Sequence, residues 1–334
     1  MANAFSSIPE LCDYLELDIA QLPVSAAAAA SFPLRVPRSF AARMEKGNAA
    51  DPLLRQVLPV SDEMIVYPGY SADPVGDLGA GRRGLVLHKY PGRVLMINTG
   101  SCAINCRYCF RRNFPYSEFQ LSRQKQSQAI DYIRRNDAVS EVILSGGDPL
   151  LLSDAKLSDL IGELDGIGHL QRIRIHSRLP IVLPARITPA LCATLAASSK
   201  SVIMVVHCNH ANEIGRSVVS ACQKLKAQGT ALFNQAVLLR HVNDNVEALR
   251  QLSEKLFNAG IIPYYLHLLD KAIGTGHFEI PEATALHFME QLQNSLPGYL
   301  VPKLVKEVTG APAKQTVIKS YPNLEMEDFM ITTT

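Results

Sequence analysis

The chain predicts an α/β protein, a partial (β/α)6 barrel with a helical N-terminal segment and a short C-terminal extension. Three observations carry this. Six short apolar runs recur, at residues 93–98, 142–145, 172–176, 202–207, 231–237 and 262–268, each followed by a stretch of helical character. The later runs begin roughly 30 residues apart, about the length of one strand-plus-helix unit. Chemically versatile residues collect just past the runs, where strands of an α/β sheet deliver their side chains to a site. Alternating strands and helices imply a parallel sheet. A doubly wound open sheet is the structural alternative, with the same rule for where the site lies.

Along the chain, residues 1–85 read as helical pieces interrupted by Pro23, Pro33, Pro37, Pro52, Pro59, Pro68 and Pro74. The alanine run at 26–30 is short and followed by Ser-Phe-Pro, which suits a brief helix. Residues 86–297 hold the six repeats, and the first gap is long because it contains a cysteine-rich loop. Residues 298–334 form the expected extension, with a lysine in a loop of small residues. No run of about 20 apolar residues exists to span a bilayer. The N-terminus lacks a basic stretch followed by an apolar one, so no secretion signal is read.

Composition sets further bounds. The 334 residues are 47% hydrophobic and 19% charged, enough for one large core with an accessory segment. The 33 basic and 31 acidic residues leave a net charge of +2, which gives no footing for a large nucleic-acid interface. The seven cysteines are an odd number, and disulfides are not expected. Cys12, Cys192, Cys208 and Cys222 sit in apolar contexts and read as small buried hydrophobes.

Cys102, Cys106 and Cys109 are different. Their C-x3-C-x2-C spacing puts three thiolates within eight residues, with no fourth cysteine before Cys192. Closed iron–sulfur sites use four cysteines, so three can hold a cubane cluster and leave one iron open for chemistry. Tyr108 can shield such a cluster with its ring. A zinc site completed by Cys12, Cys192 or a histidine stays open as an alternative.

The other motifs are weaker alone. Ser145-Gly146-Gly147-Asp148-Pro149 follows the second run, and its glycines permit close backbone approach or an ordinary tight turn. Ser177 and Arg178 follow the third run, His207 and Asn209 close the fourth, Gln235 lies near the end of the fifth, and Asp270 follows the sixth. Arg111 and Arg112 follow Cys109, and an arginine can fork a carboxylate or simply be solvated. Lys89, Tyr90 and Arg93 could bind a phosphate or rim a polar loop. Glu307 and Lys314 lie in a Gly/Pro loop that is an ordinary surface feature by pattern.

Taken in order, these pieces resemble the lysine 2,3-aminomutase family of radical S-adenosylmethionine (SAM) enzymes. The resemblance covers roughly residues 50–320 and includes the Lys89–Leu95 stretch, the cluster loop with Arg111, Ser-Gly-Gly-Asp-Pro, Ser-Arg-Leu-Pro, His-Cys-Asn-His-Ala-Asn-Glu and the final lysine loop. It implies a TIM-like partial barrel and an isomerase carrying a 4Fe–4S cluster, SAM and pyridoxal 5′-phosphate (PLP). It places Cys102, Cys106 and Cys109 on the cluster. Ser145, Gly146, Gly147 and Asp148 fall at SAM, with Asp148 where many members carry Glu, and Ser177, His207 and Gln235 are expected to bind cofactor from the other strand ends. Lys314 matches the lysine that holds PLP covalently, and Lys89, Tyr90 and Arg93 match its phosphate site. Arg111 matches the clamp on the substrate α-carboxylate. Asp270 and Glu307 match two carboxylates that receive the distal ammonium, Glu307 standing where the family has Asp.

The implied reaction is conversion of L-lysine to (R)-β-lysine by 2,3-amino migration. Two acidic groups favour a cationic substrate tail over an acidic one. Compact members of the family supply β-lysine for modification of elongation factor P, and the length of this chain is similar to theirs. The expected partners are free L-lysine, a one-electron reductant such as flavodoxin or ferredoxin, and a functional link to an elongation factor P lysyl ligase. A homo-oligomer is compatible with the resemblance; nucleic acid and membrane are not expected. An oxygen-sensitive cluster and free thiols point to the cytoplasm. The alternatives are an aminomutase for glutamate or arginine, and a non-catalytic iron–sulfur or zinc redox sensor.

Overall fold

The computed structural model describes residues 3–79, 82–116 and 122–319. Residues 320–334 of the expected extension lie outside them. Among the described residues, ten strands form one sheet in sequential order: β1 (Arg82–Arg83), β2 (Val86–Tyr90), β3 (Arg93–Thr99), β4 (Glu141–Gly146), β5 (Arg172–Ser177), β6 (Ser201–Val206), β7 (Ala231–Val237), β8 (Ile262–His267), β9 (Lys303–Lys306) and β10 (Gln315–Thr316). From β3 to β9 every neighbour is parallel; β1, β2 and β10 attach antiparallel at the two edges.

The sequential order excludes the doubly wound alternative, whose strand order reverses at a switch point. The sheet is also curled. Strands lie about 4.8 Å apart, so β2 and β9 would be roughly 33 Å apart in a flat sheet. Instead the Tyr90 hydroxyl at the end of β2 donates to Glu307, the residue after β9. A partial barrel is the result.

The six expected runs are β3 to β8. A seventh parallel strand, β9, comes from the segment read as a C-terminal extension. It is four residues long with lysine at both ends, which hides it from any apolar pattern. β2 likewise occupies residues expected to be a polar loop before the first strand.

Strand chemistry explains the layering. All six residues of β4 are buried, as a strand covered on both faces must be. In β5 the burial alternates: Ile173 and Ile175 join the hydrophobic core, while Arg174 and His176 line the cavity inside the barrel. Four of the returning helices start on capping side chains. Ser122, Ser153, Thr188 and Asn245 each accept from the backbone N–H three residues on, so the loops at the site pass cleanly into helices Arg123–Arg134, Asp154–Asp165, Pro189–Ala196 and Val246–Asn258.

The N-terminal segment forms short helices at Ile8–Tyr14, Ala26–Ser31, Arg38–Ala41 and Pro52–Arg55. The alanine run is indeed helical, capped by Ser25. One cluster of buried apolar side chains runs from Phe5 through the barrel to Val317, so the three expected segments share a core. Cys12, Cys192, Cys208 and Cys222 are buried and free, as their apolar contexts predict. No helix among the described residues is long and apolar enough to cross a membrane.

Candidate active site

A cavity of about 400 Å³ opens at the C-terminal ends of the parallel strands. It is lined by all of the expected residues: Cys102, Cys106, Cys109, Arg111, Ser145, Gly146, Gly147, Asp148, Ser177, His207, Gln235, Asp270, Glu307 and Lys314, with Lys89, Tyr90 and Arg93 from the strand edge.

The cysteine loop leaves β3 and is held from behind by the N-terminal segment. Asn105 N–H donates to Arg35 O at 3.0 Å, Arg107 N–H to Gln56 O at 2.8 Å, and Arg35 Nη1 to Cys102 O at 3.0 Å. Arg107 is fully buried and pairs with Glu63 through both carboxylate oxygens, while Arg112 Nη2 reaches the same carboxylate at 2.7 Å. The loop has little regular structure of its own, so these buried ion pairs fix its path. That is the role of an N-terminal segment whose sequence reads only as broken helices.

The three thiols share one space. Burial pushes the Cys109 thiol up to about 11, and Cys106 adds to the effect; burial and the other two thiols raise Cys102 as well. Three thiolates packed this closely repel, and need positive charge between them to ionise together. No three His, Cys, Asp or Glu side chains among the described residues converge on one metal-ion position. Three neighbouring thiols with no fourth cysteine nearby suit a multi-iron cluster, which takes each thiolate on a separate iron. Arg178 Nη1 points at Cys106 Sγ, 2.7 Å away, and its guanidinium lies 5.5 Å over the Tyr108 ring. Arg178 is anchored by Glu213 at 3.0 Å and Gln56 at 2.7 Å.

The glycine turn after β4 is locked onto the start of this loop. Gly146 has φ +110°, and a Cβ on Gly147 would lie 2.2 Å from Ser101 O. Gly147 N–H donates to Thr99 O at 2.6 Å, and Asp148 N–H to Ser101 O at 2.9 Å. Only glycine fits, for close approach rather than for an ordinary turn. Asp148 is held by the chain itself. Its Oδ1 accepts from Ser177 Oγ and Leu150 N–H, and its Oδ2 from the N–H groups of Arg178 and Leu179. A carboxylate offers about four acceptor positions, and all are spent on the chain. Asp148 ties two βα loops together rather than presenting a free carboxylate to a ligand.

Three histidines face one another inside the barrel. His207 and His176 have ring centroids 5.9 Å apart, and Gln235 Nε2 lies 3.0 Å from His207 Nε2. Burial, then Arg178, Lys314 and Arg111, lower His207 to about 3. Burial and neighbouring cations also hold His176 and His267 well below the usual imidazole range. His176 and His267 were missed from sequence, although both lie inside the expected strand runs with the period that faces the barrel interior.

The far side of the cavity is charged. Lys314 Nζ donates to Glu307 Oε2 at 2.8 Å, and Tyr90 donates to the other oxygen. Glu307, which the resemblance matches to a carboxylate for a distal ammonium, has one oxygen on Lys314 and the other on Tyr90. Burial alone would raise Glu307, but the Lys314 charge, the hydrogen bonds from Lys314 and Tyr90 and the Lys89 charge together outweigh it and hold it below the ordinary carboxylate range. Asp270, by contrast, receives no hydrogen bond on its carboxylate among the described residues, and burial pushes it up to about 7. Lys89 and Arg111 are not open either: Lys89 Nζ lies 2.5 Å from Asp77 Oδ1, and Arg111 Nε donates to Asp77 Oδ2 at 2.8 Å. Asp77 escaped the sequence reading because it sits in an irregular Pro/Gly segment with no motif around it. The Arg93 guanidinium covers the Tyr90 ring at 4.4 Å.

Comparison with known proteins agrees with this geometry. Residues 90–173 match a 4Fe-4S single cluster domain. The chain is 47% identical to L-lysine 2,3-aminomutase of Escherichia coli K12 over 94% of its own length and 92% of the relative. It is 46% identical to the Haemophilus influenzae protein of the same name, covering 94% and 93%. With the Clostridium subterminale L-lysine 2,3-aminomutase, identity is 35% over 98% of this chain and 79% of the other. With a thiol triad at the strand ends and relatives this similar over most of their length, the chain belongs to the lysine 2,3-aminomutase family of radical SAM isomerases.

Proposed function

We propose that this protein moves the α-amino group of L-lysine to C3, giving (R)-β-lysine, with a 4Fe–4S cluster on Cys102, Cys106 and Cys109, SAM beside it and PLP on Lys314. The observation that carries this is a single cavity lined by the thiol triad together with Lys314, Asp270 and Arg111. When bound, the cluster with SAM supplies a carbon radical able to take hydrogen from an unactivated C–H, and PLP supplies a π system on the migrating nitrogen.

The chain's own groups do the rest. Arg111 spends Nε on Asp77, which leaves its terminal nitrogens to fork the α-carboxylate. Asp270 takes the distal ammonium. Glu307 pairs with the Lys314 ammonium, and would be free to face the substrate were that nitrogen to hold PLP. The neutral His176, His207 and His267 offer hydrogen bonds without repelling a cationic substrate. His207 and Gln235, with Ser145–Gly147 and Ser177, form the wall toward the nucleoside and methionyl groups of SAM. An acidic tail would face Asp270 and Glu307, which disfavours glutamate.

The β-lysine is assigned to elongation factor P modification through a lysyl ligase, with flavodoxin or ferredoxin as electron donor. The cytoplasm, where free thiols persist, is the compartment that suits seven unpaired cysteines. The test is direct. Reduced enzyme with SAM and PLP, given L-lysine, L-glutamate or L-arginine, yields a β-amino acid from lysine alone. Borohydride reduction followed by peptide mapping finds PLP on Lys314, and Lys314→Ala abolishes that adduct while keeping the iron. A β-product from glutamate, or an adduct on another lysine, overturns the assignment.

A further inference from the structure

Two cations of the cavity share one carboxylate. Asp77 is 4% exposed; Oδ1 holds Lys89 Nζ at 2.5 Å and Oδ2 holds Arg111 Nε at 2.8 Å. Its own placement is over-determined. Asp73 accepts the N–H groups of Asp77 at 2.7 Å and Leu78 at 3.0 Å. Gly76, at φ +67°, lies so close to Thr309 that a Cβ would fall 2.8 Å from its methyl group. Thr309 belongs to the same loop as Glu307 and Lys314, so the segment carrying Asp77 is seated against the lysine loop. Val75 O accepts a further hydrogen bond from Lys89 Nζ at 2.6 Å.

These contacts leave each cation part-used. An ammonium has three donors, and Lys89 spends two on the protein. Arg111 spends Nε on Asp77, and Nη1 lies only at 3.4 Å from Ser145 Oγ, so the terminal edge faces the cavity. Burial works against the Asp77 charge, but Arg111 and Lys89 outweigh it and hold the carboxyl below its ordinary range.

We propose that Asp77 is a positioning residue that aims Lys89 at a phosphate and Arg111 at an amino acid α-carboxylate, and so couples the binding of these two anions. The proposal rests on the reading of Lys89 and Arg111 given above. The sign of the effect is diagnostic. If Asp77 acted only as a negative charge, its removal would tighten both anions. If it positions, its removal lets two cations drift apart by repulsion, and both anions bind more weakly.

The experiment uses cluster-loaded enzyme freed of PLP. Asp77→Asn is titrated with PLP, and separately with pyridoxal, which lacks the phosphate; L-lysine KM and kcat are then measured at saturating PLP. The expected result is about tenfold weaker PLP binding and about tenfold higher lysine KM, the loss of a charge-assisted hydrogen bond at each cation. Pyridoxal binding and iron content stay at wild-type values. A double-mutant cycle reads the coupling: Lys89→Met raises lysine KM in the wild-type background and leaves it unchanged when Asp77 is already Asn. Tighter or unchanged PLP binding in Asp77→Asn overturns the inference, as does independent multiplication of the two mutations. Should Asp77→Asn lose iron, Asp77→Glu carries the test, since it keeps the charge at a longer reach. Recovery of iron with weakened PLP supports positioning, and iron loss in both variants overturns it. A failed Lys314→Ala adduct test sinks the reading of the site; an unaltered Asp77→Asn beside a normal Lys314 result sinks only the coupling.

Discussion

Asp270 makes the sharpest prediction, because its environment costs it the charge it needs. Burial lifts the carboxyl from an ordinary 3.8 to about 7; Lys314 opposes this, and the Glu307 and Asp77 charges add to it. That is about three pH units, or on the order of 4 kcal/mol for keeping the group ionised in the free enzyme above neutrality. A substrate ammonium offsets that cost, and a charge-assisted hydrogen bond adds about 1.5–3 kcal/mol of preference for it. Asp270→Asn keeps the shape and removes the charge. At about pH 8 it lowers kcat/KM for L-lysine roughly tenfold to a hundredfold. At about pH 6 only about a tenth of the wild-type enzyme carries the ionised carboxyl, so the wild-type value itself has fallen about tenfold and the two enzymes draw together.

The assay is kcat/KM for lysine across pH in both enzymes, with iron and PLP contents matched. Parallel profiles would refute the reasoning, since they would mean that the limb near neutrality belongs to another group. Stability carries the opposite sign. A carboxyl raised in the folded state costs nothing below its unfolded pKa of about 4, and its cost grows until the pH passes about 7. The Asn variant is therefore at least as stable as wild type near about pH 8 by thermal denaturation, with the advantage vanishing toward about pH 4.

Three further outcomes are expected. Cys106→Ala abolishes both the bound cluster and reductive SAM cleavage, read by iron analysis and 5′-deoxyadenosine release; a full cluster complement in the variant would remove the triad as ligand set. Gly147→Ala drives a Cβ toward Ser101 O at 2.2 Å. Because that neighbour is backbone at the start of the cluster loop, the variant loses iron even when it folds, and wild-type iron content would contradict the close approach. Glu213→Ala strips partners from Arg178, Gln56 and the N–H groups of Asn209 and His210. Leaving the Arg178 charge buried and unpaired costs about 3–5 kcal/mol, seen as a fall in Tm, and an unchanged Tm would show that solvent reaches the site.

Residue type and spacing alone determined much of this protein. The six runs are strands β3–β8: β4, buried throughout, reads as a continuous apolar stretch, while β5 and β7 alternate with one face on the core. The cysteine triad is local chemistry, eight residues long, and its open-iron logic needs no fold. The glycines at 146 and 147 are visible as a pair at a strand end, but it is the structure that shows close approach to Ser101 rather than an ordinary turn.

What only the tertiary structure decided is how charges are shared. Asp77 and Arg111 are 34 residues apart, and Tyr90 and Glu307 are 217 apart; nothing local in either segment signals its partner. Curling of the sheet brings its two ends together, and burial then forces each charge to find an opposite one. That forcing pairs Glu307 with Lys314, closes the acceptor positions of Asp148, and leaves Asp270 alone with its charge. It also turns a broken N-terminal stretch into the clamp behind the cluster loop, through Glu63, whose partners Arg107 and Arg112 lie more than forty residues away. Periodicity reports which faces are buried; it carries no record of which buried charge meets which, because that is settled by three-dimensional closure and the cost of leaving a charge unpaired in a low dielectric.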